Sequence, residues 1–143
     1  MVAAVTQPPP AATIDKIAWI HLVDDRVLST RSIGKDVYYL PGGKREAGES
    51  DLDTLVREIR EELSAHIDPA SAVHLGTFRA QADGHSEGVM VRMTCYTARL
   101  SGELAAASEI AEMAWLTLAD SWRVSPVDKI IFRHLHESGS LRA

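Results

Sequence analysis

Residues 43–65 constrain this chain most strongly, because they join a glycine-rich turn to a helix that carries a cluster of acids. At about 100° per residue, Glu58, Glu61 and Glu62 fall within one arc of about 100° on that helix. Neighbouring like charges destabilise a bare helix, and acids are unfavourable near its C-terminal end. The cluster therefore predicts a bound positive charge, and a hard divalent cation with oxygen ligands fits it best.

An apolar stripe beside the acids predicts that the helix packs on a core. Its residues are Leu52, Leu55, Val56, Ile59 and Leu63. Ser50 with an acid three residues later is typical of a capping box, so we expect the helix to begin near Asp51 and to run to about Ser64. The alternative is a solvent-exposed helix face with alternating charges. The segment before the helix, with Tyr39 and Gly43, argues against that alternative.

The spacing of the glycine, the acids and one arginine resembles the signature of the Nudix hydrolases. That signature is a glycine, five residues, a glutamate, seven residues, Arg-Glu-apolar-x-Glu-Glu, one residue, a glycine and an apolar residue. The matching positions are Gly43, Glu49, Arg57, Glu58, Ile59, Glu61 and Glu62. Ser64 and Ala65 replace the last two positions. Glycine readily forms a left-handed cap, so its replacement predicts a helix that runs on to His66 before Pro69 stops it.

The resemblance implies a hydrolase that cleaves a nucleoside diphosphate linked to another group, with water attacking phosphorus. It also implies a bound Mg²⁺, or Mn²⁺ in its place, which stabilises the charge of the diphosphate and activates the water. The implied ligands are the backbone carbonyl of Gly43 and the carboxylates of Glu58, Glu61 and Glu62.

The resemblance leaves the general base open. Glu49 is either an outer member of the metal shell or a base, and Glu109 and Glu112 in a later segment are further base candidates. Arg57 is expected to orient the glutamates through charge-assisted hydrogen bonds rather than to contact substrate.

Residues before the glycine turn are candidate substrate contacts. Arg31 and Lys35 are predicted to contact phosphate, although both are also ordinary surface residues. Tyr39 is predicted to stack on a base, with Tyr38, Trp19 and Phe78 as alternatives that are more commonly part of a core.

The substrate class rests on what the sequence lacks. The additional sequence motifs of the Nudix subfamilies that act on coenzyme A, NADH, ADP-ribose and diadenosine polyphosphates are absent. The remaining resemblance is to the small MutT-like type, which implies hydrolysis of a (deoxy)nucleoside triphosphate to a monophosphate and pyrophosphate. The alternatives are a nucleotide sugar or dinucleotide as substrate, and a Nudix-fold module that binds a nucleotide without cleaving it.

The order of predicted elements agrees with the fold that the resemblance implies. Strands are predicted at residues 17–23, 27–30, 37–40, 72–82, 89–100 and 112–116. A second helix is predicted to begin at Pro126 and to end by Gly139. The expected fold is a Nudix-type α/β/α sandwich with a mixed sheet, in which the signature forms a loop–helix–loop.

The chain as a whole is expected to form a disordered proline-rich lead-in, residues 1–13, and a single Nudix domain, residues 14–143. A net charge of −5 argues against a nucleic acid polymer or an anionic membrane as partner. Cys95 is the one cysteine, so no intrachain disulfide forms, and a cytoplasmic location and a buried thiol are expected. We expect a monomer or a homodimer that binds a small nucleotide.

Overall fold

The computed structural model of the protein describes residues 13–143. The predicted disordered lead-in lies outside these described residues except for Thr13, which already belongs to the first strand. The strands are β1 Thr13–Trp19, β2 Leu22–Val23, β3 Arg26–Ser32, β4 Tyr38–Tyr39, β5 Gly42–Lys44, β6 His66–Ile67, β7 Val73–Gln81, β8 Met90–Thr97, β9 Leu100–Ser101 and β10 Ile110–Leu116. The helices are α1 Asp51–Leu63 and α2 Pro126–Glu137.

A mixed four-stranded sheet in the order β5-β1-β8-β7 forms the centre of the fold. Strand β1 runs parallel to β8 and antiparallel to β5, and β7 pairs with β8 in antiparallel orientation. A second, antiparallel sheet has the order β10-β3-β2, with β4 also paired to β3. The predicted mixed sheet is confirmed.

The two helices cover opposite faces of the mixed sheet. Because successive strand residues point to opposite faces, Ile17 and Trp19 of β1 join one core and Ala18 joins the other. The first core contains Leu55, Ile59 and Leu63 of α1. The second contains Val127, Ile131, Phe132 and Leu135 of α2. The predicted α/β/α sandwich is therefore confirmed.

The strand predicted at residues 17–23 is wrong as a single element. Strand β1 ends at Trp19 in the mixed sheet, whereas Leu22 pairs with Val27 in the second sheet. Local strand propensity continues across this break, which is caused by pairing with distant strands. Strands β2 and β3 form a hairpin, and Asp24 and Asp25 form its turn with φ of 52° and 60°.

Helix α1 begins as predicted and ends earlier than predicted. Ser50 caps it, and its hydroxyl accepts a hydrogen bond from the backbone N–H of Asp53 at 3.1 Å. The continuation through Ser64 is wrong, because Ser64 adopts the left-handed conformation with φ 52° and ψ 26°. Burial of Ala65 and Ile67 explains this end, since an extended chain carries both side chains into the core beside Leu63.

The loop at residues 105–107 also fixes the end of α1. The backbone N–H of Ala105 donates to the carbonyl of Leu63, and that of Ala107 donates to the carbonyl of Glu62, both at 2.9 Å. These bonds satisfy terminal carbonyl groups that a longer helix would use.

The strand predicted at residues 89–100 is wrong as a single element, because β8 ends at Thr97 and Leu100 pairs with Ile67 in β9. Helix α2 begins with Pro126 in its first turn and ends before Gly139. Cys95 is a buried thiol in β8. Among the described residues, neither helix is long and apolar enough to cross a membrane.

Candidate active site

Strand β5 brings the glycine turn against helix α1. Gly43 pairs with Ile17 of β1, and a Cβ atom on Gly43 would lie only 2.5 Å from the carboxyl carbon of Glu58. Gly42 has φ +145°, and a Cβ there would collide with the carbonyl oxygen of Ile17. The two glycines therefore let the backbone approach the acidic face of the helix.

Arg57 is the centre of a network that spans the signature. Its Nε and Nη2 atoms donate to the two carboxylate oxygens of Glu49, at 2.7 and 2.9 Å. Its Nη1 donates to Glu58 at 2.8 Å and to Glu61 at 3.4 Å. Nη2 also donates to the carbonyl of Lys44 at 3.0 Å. The guanidinium thus connects the loop, β5 and the acidic face of α1, which is the arrangement expected of an orienting arginine.

Glu49 is held as a carboxylate by several donors. Besides Arg57, the backbone N–H of Glu46 donates to it at 2.8 Å and the hydroxyl of Thr54 at 3.0 Å. These bonds, led by the one from Arg57, lower the pKa of Glu49 to about 2. A carboxylate of such low basicity is a weak proton acceptor, so its position favours the outer-shell role over the role of general base.

Glu58 and Glu62 form a close pair of carboxyl groups at the glycine turn. Each carboxyl group is close enough to shift the pKa of the other, and Glu62 also accepts a hydrogen bond from the backbone N–H of Gly42 at 3.4 Å. Burial raises the pKa of Glu62, and the neighbouring Glu58 raises it further. Burial also raises the pKa of Glu58, although Arg57 opposes the shift. Each carboxylate would be stabilised by a cation between them.

Glu61 occupies a more open position than its two neighbours. Its side chain is 49% exposed, compared with 15% for Glu58, and it reaches toward Arg57. Within residues 13–143, no three acidic, histidine or cysteine side chains form a ready-made metal cluster. The donor set of two close carboxyl groups beside a glycine backbone nevertheless fits a hard cation that prefers oxygen, such as Mg²⁺ or Mn²⁺.

A cleft of about 300 Å³ opens beside this acidic pair. Ile14, Val91 and Met93 of the mixed sheet contribute apolar lining, and the first turn of α2 forms another side. The predicted site residues on its wall are Lys35, Tyr39, Gly43, Glu62 and Glu109. Tyr39 also donates a hydrogen bond to Asp83 of the β7–β8 loop at 2.6 Å, which ties that loop to the cleft.

Six predicted site residues are absent from the described lining of the cleft: Glu49, Arg57, Glu58 and Glu61 of the network around Arg57, and Arg31 and Glu112. Arg31 and Glu112 lie opposite each other on β3 and β10 and form an ion pair at 3.7 Å. Arg31 also donates to the carbonyl of Lys35 at 3.0 Å. Their positions therefore do not support a phosphate contact by Arg31 or a general base at Glu112. Glu109 is the later glutamate that reaches the cleft.

Sequence reasoning missed two charged residues near the cleft. Lys16 lines it from β1, and Asp128 is fully buried in α2, where it accepts the backbone N–H of Leu40 at 2.9 Å. Burial raises the pKa of Asp128 to about 7. Each had a signal in the sequence, since Lys16 directly precedes an apolar run in its strand and Asp128 lies on the apolar face of its helix.

Comparison with known proteins decides the family. Residues 15–135 match the NUDIX domain family. The chain belongs to this family. Its assignment to the Nudix hydrolases from the signature is thereby confirmed.

Relatives of this Nudix domain have hydrolase names. An uncharacterized Nudix hydrolase of Bacillus subtilis, YvcI, is 29% identical over 97 residues, which are 68% of this chain and 61% of that protein. An RNA pyrophosphohydrolase of Halorhodospira halophila is 43% identical over 56 residues, which are 39% of this chain and 30% of that protein. The chain thus matches less than two thirds of the length of either curated relative.

A solved structure shows the same fold. The MutT NUDIX hydrolase from Burkholderia pseudomallei superposes on this chain with a TM-score of 0.71 at 22% identity. The superposition covers 86% of this chain and 98% of the Burkholderia chain. The predicted MutT-like fold is confirmed by this similarity.

Proposed function

We propose that this Nudix domain is a metal-dependent pyrophosphohydrolase that converts a nucleoside or deoxynucleoside triphosphate to the monophosphate and pyrophosphate. One observation carries the proposal: the carboxyl group of Glu58 lies against Gly43, and that of Glu62 lies against Gly42 in the wall of a cleft. That cleft also presents Lys35 for phosphate and Tyr39 for a base. We also propose that the chain forms a single domain and acts in the cytoplasm as a monomer or homodimer.

Each side chain of the network has a distinct task in this reaction. Glu58, Glu61, Glu62 and the carbonyl of Gly43 would hold Mg²⁺ or Mn²⁺. When bound, the ion supplies charge stabilisation for the phosphate oxygens and lowers the pKa of water. Arg57 keeps Glu58 and Glu61 in position, and Glu49 keeps Arg57 in position.

Glu109 is the general base in this proposal. It lies on the cleft wall, and the hydroxyl of Ser108 donates to it at 2.7 Å and lowers its pKa. The lower pKa reduces its basicity, but Glu109 is exposed to water rather than held by Arg57, so it can accept the proton that the attacking water loses. Glu49 lacks this freedom because Arg57 occupies both of its oxygens.

Four alternatives lie within the same family. A nucleotide sugar or dinucleotide offers a similar diphosphate, and a binding module would hold a nucleotide without turnover. The partial similarity to an RNA pyrophosphohydrolase favours a triphosphate on an RNA end as a further candidate. The net charge of −5 favours the small nucleotide, because binding of a polymer rewards clustered cations.

A substrate panel with product analysis tests the proposal. The purified protein is incubated with Mg²⁺ and each of the common ribo- and deoxyribonucleoside triphosphates, a nucleotide sugar, a dinucleoside polyphosphate and an RNA oligonucleotide with a 5′-triphosphate. We expect the highest kcat/KM for a free triphosphate, with monophosphate and pyrophosphate as products. Faster turnover of another compound in the panel would assign the activity to the substrate class of that compound. Binding of a nucleotide without turnover would identify a binding module.

A further inference from the structure

Lys16 lines the cleft from strand β1. It lies on the same face of β1 as Ile14 and Ala18, and all three line the cleft together with Gly43 and Glu62. Strand pairing fixes this position, because Lys16 is opposite Met93 of β8 in the middle of the mixed sheet. The lysine is therefore part of a rigid surface rather than of a loop.

The ammonium group of Lys16 is partly desolvated without a direct partner. The carboxyl groups of Asp128, Glu62 and Glu58 attract it through space, and the ammonium of Lys44 repels it. Among residues 13–143, no hydrogen bond or ion pair of its Nζ atom accompanies these effects, and the ring of Tyr39 lies 5.6 Å away. A cation withdrawn from water is unfavourable unless an anion compensates it, so the site is suited to an anionic ligand.

Arginines around the cleft are already engaged. Arg57 contacts Glu49 and Glu58, and Arg31 is held by Glu112 and by the carbonyl of Lys35. Their donors fix protein groups in place. An anion that enters the cleft would have to compete with those protein groups for the arginine donors, whereas the three ammonium donors of Lys16 are available.

We propose that Lys16 binds the phosphate chain of the substrate and so fills the role that sequence reasoning gave to Arg31. The ligand class is a nucleoside polyphosphate whose phosphates extend from the acidic pair at Glu58 and Glu62 across the face of β1. This inference rests on the proposed function for the identity of the substrate. A flexible ammonium suits the contact, because it can follow a phosphate that moves during the reaction.

Steady-state kinetics of three variants test the assignment. Lys16→Met is expected to raise KM for the best triphosphate at least tenfold and to leave kcat within about threefold, because the contacted charge exists before the reaction and during it. Lys129→Met is the matched control, since it removes the same charge from an exposed position outside the cleft. Arg31→Met is expected to raise KM less than Lys16→Met. A KM for Lys16→Met equal to that of Lys129→Met would overturn the proposal.

Calorimetric binding of inorganic tripolyphosphate in the presence of Mg²⁺ supplies a readout that does not depend on turnover. We expect the wild type and Lys129→Met to bind it with the same Kd, Lys16→Met to bind at least tenfold more weakly, and Lys16→Arg to recover most of the affinity. Thermal denaturation checks that each variant is folded, and Lys16→Gln replaces the methionine variant if that one is not.

The outcomes separate the two proposals. If the wild type hydrolyses no nucleotide and Lys16→Met still binds tripolyphosphate more weakly than the wild type, the proposed reaction is wrong and the Lys16 site stands. The Lys16 site is wrong and the reaction stands if nucleotides are hydrolysed but tripolyphosphate binds equally well to the wild type and the Lys16 variants. The same conclusion holds if nucleotides are hydrolysed and the wild type does not bind tripolyphosphate.

Discussion

The guanidinium of Arg57 and the carboxylate of Glu49 meet edge to edge, with Nε–Oε2 at 2.7 Å and Nη2–Oε1 at 2.9 Å. The pair joins the loop before α1 to the helix across eight positions of sequence. Arg57 uses its remaining nitrogen for Glu58 and Glu61. An arginine of the signature thus controls the direction of two proposed metal ligands while it is itself held by a third glutamate.

Removal of Arg57 should therefore impair metal use more than folding. We expect Arg57→Gln to lower kcat/KM at least about 100-fold, a loss on the order of 3 kcal/mol of transition-state stabilisation. The Mg²⁺ concentration for half-maximal activity should also rise. Arg60→Gln is the control, because Arg60 lies exposed on the same helix and has the same charge. A variant at position 57 that keeps both the rate and the metal requirement of the wild type would refute the orienting role.

Ser64 gives a prediction about stability. A serine in the left-handed conformation is strained, so Ser64→Gly should stabilise the protein by about 1 kcal/mol and raise Tm by about 3 °C. Ser138 caps α2 with φ −81°, where glycine relieves no strain, so Ser138→Gly should not raise Tm. Differential scanning calorimetry measures both. Activity of Ser64→Gly should match the wild type, and a fall in its Tm would contradict the left-handed cap.

The same residue shows where local sequence ceases to determine structure. The start of α1 at Ser50 and that of α2 at Pro126 were predictable, because capping residues act within one turn. The end at Ser64 was not, because buried Ala65 and the distant loop at Ala105 impose it. Contacts between distant segments override local propensity there.

The candidate site divides in the same way. The acids of α1 and the glycine at position 43 follow a fixed spacing, so a single segment of sequence was enough to identify them. Lys16 and Asp128 become part of the cleft region only when β1, β4 and α2 meet, and no spacing relates them. The ion pair of Arg31 with Glu112 was likewise not predictable, because strand pairing brings the two residues opposite each other.

Asp128 makes stability depend on pH. Its pKa is about 7 in the folded protein and near 3.8 in the unfolded chain. Below about pH 4 both states hold the proton, and at higher pH the unfolded chain loses it first. This carboxyl therefore lowers the free energy of unfolding as pH rises from about 4 to about 7, by an amount on the order of 1–4 kcal/mol.

Denaturant unfolding in EDTA at several pH values measures this effect. Asp128→Asn keeps an acceptor for the backbone N–H of Leu40 and removes the titration, so its stability relative to the wild type should increase across that range. Asp36→Asn, at an exposed position, should track the wild type. A constant difference between Asp128→Asn and the wild type from pH 4 to pH 8 would show that Asp128 is ionised in the folded state.

The most direct test of the account measures pyrophosphate release from the best triphosphate by the wild type and by Glu62→Gln, with Mg²⁺ and with excess EDTA. Glu62 is buried beside Gly42, and the glutamine keeps its size while removing the charge that would bind the ion. The account predicts wild-type turnover that disappears in EDTA and returns with added Mg²⁺. It also predicts a rate at least about 100-fold lower for the folded variant. Turnover that persists in EDTA, or a Glu62→Gln enzyme that keeps more than about a tenth of the wild-type rate, would contradict it.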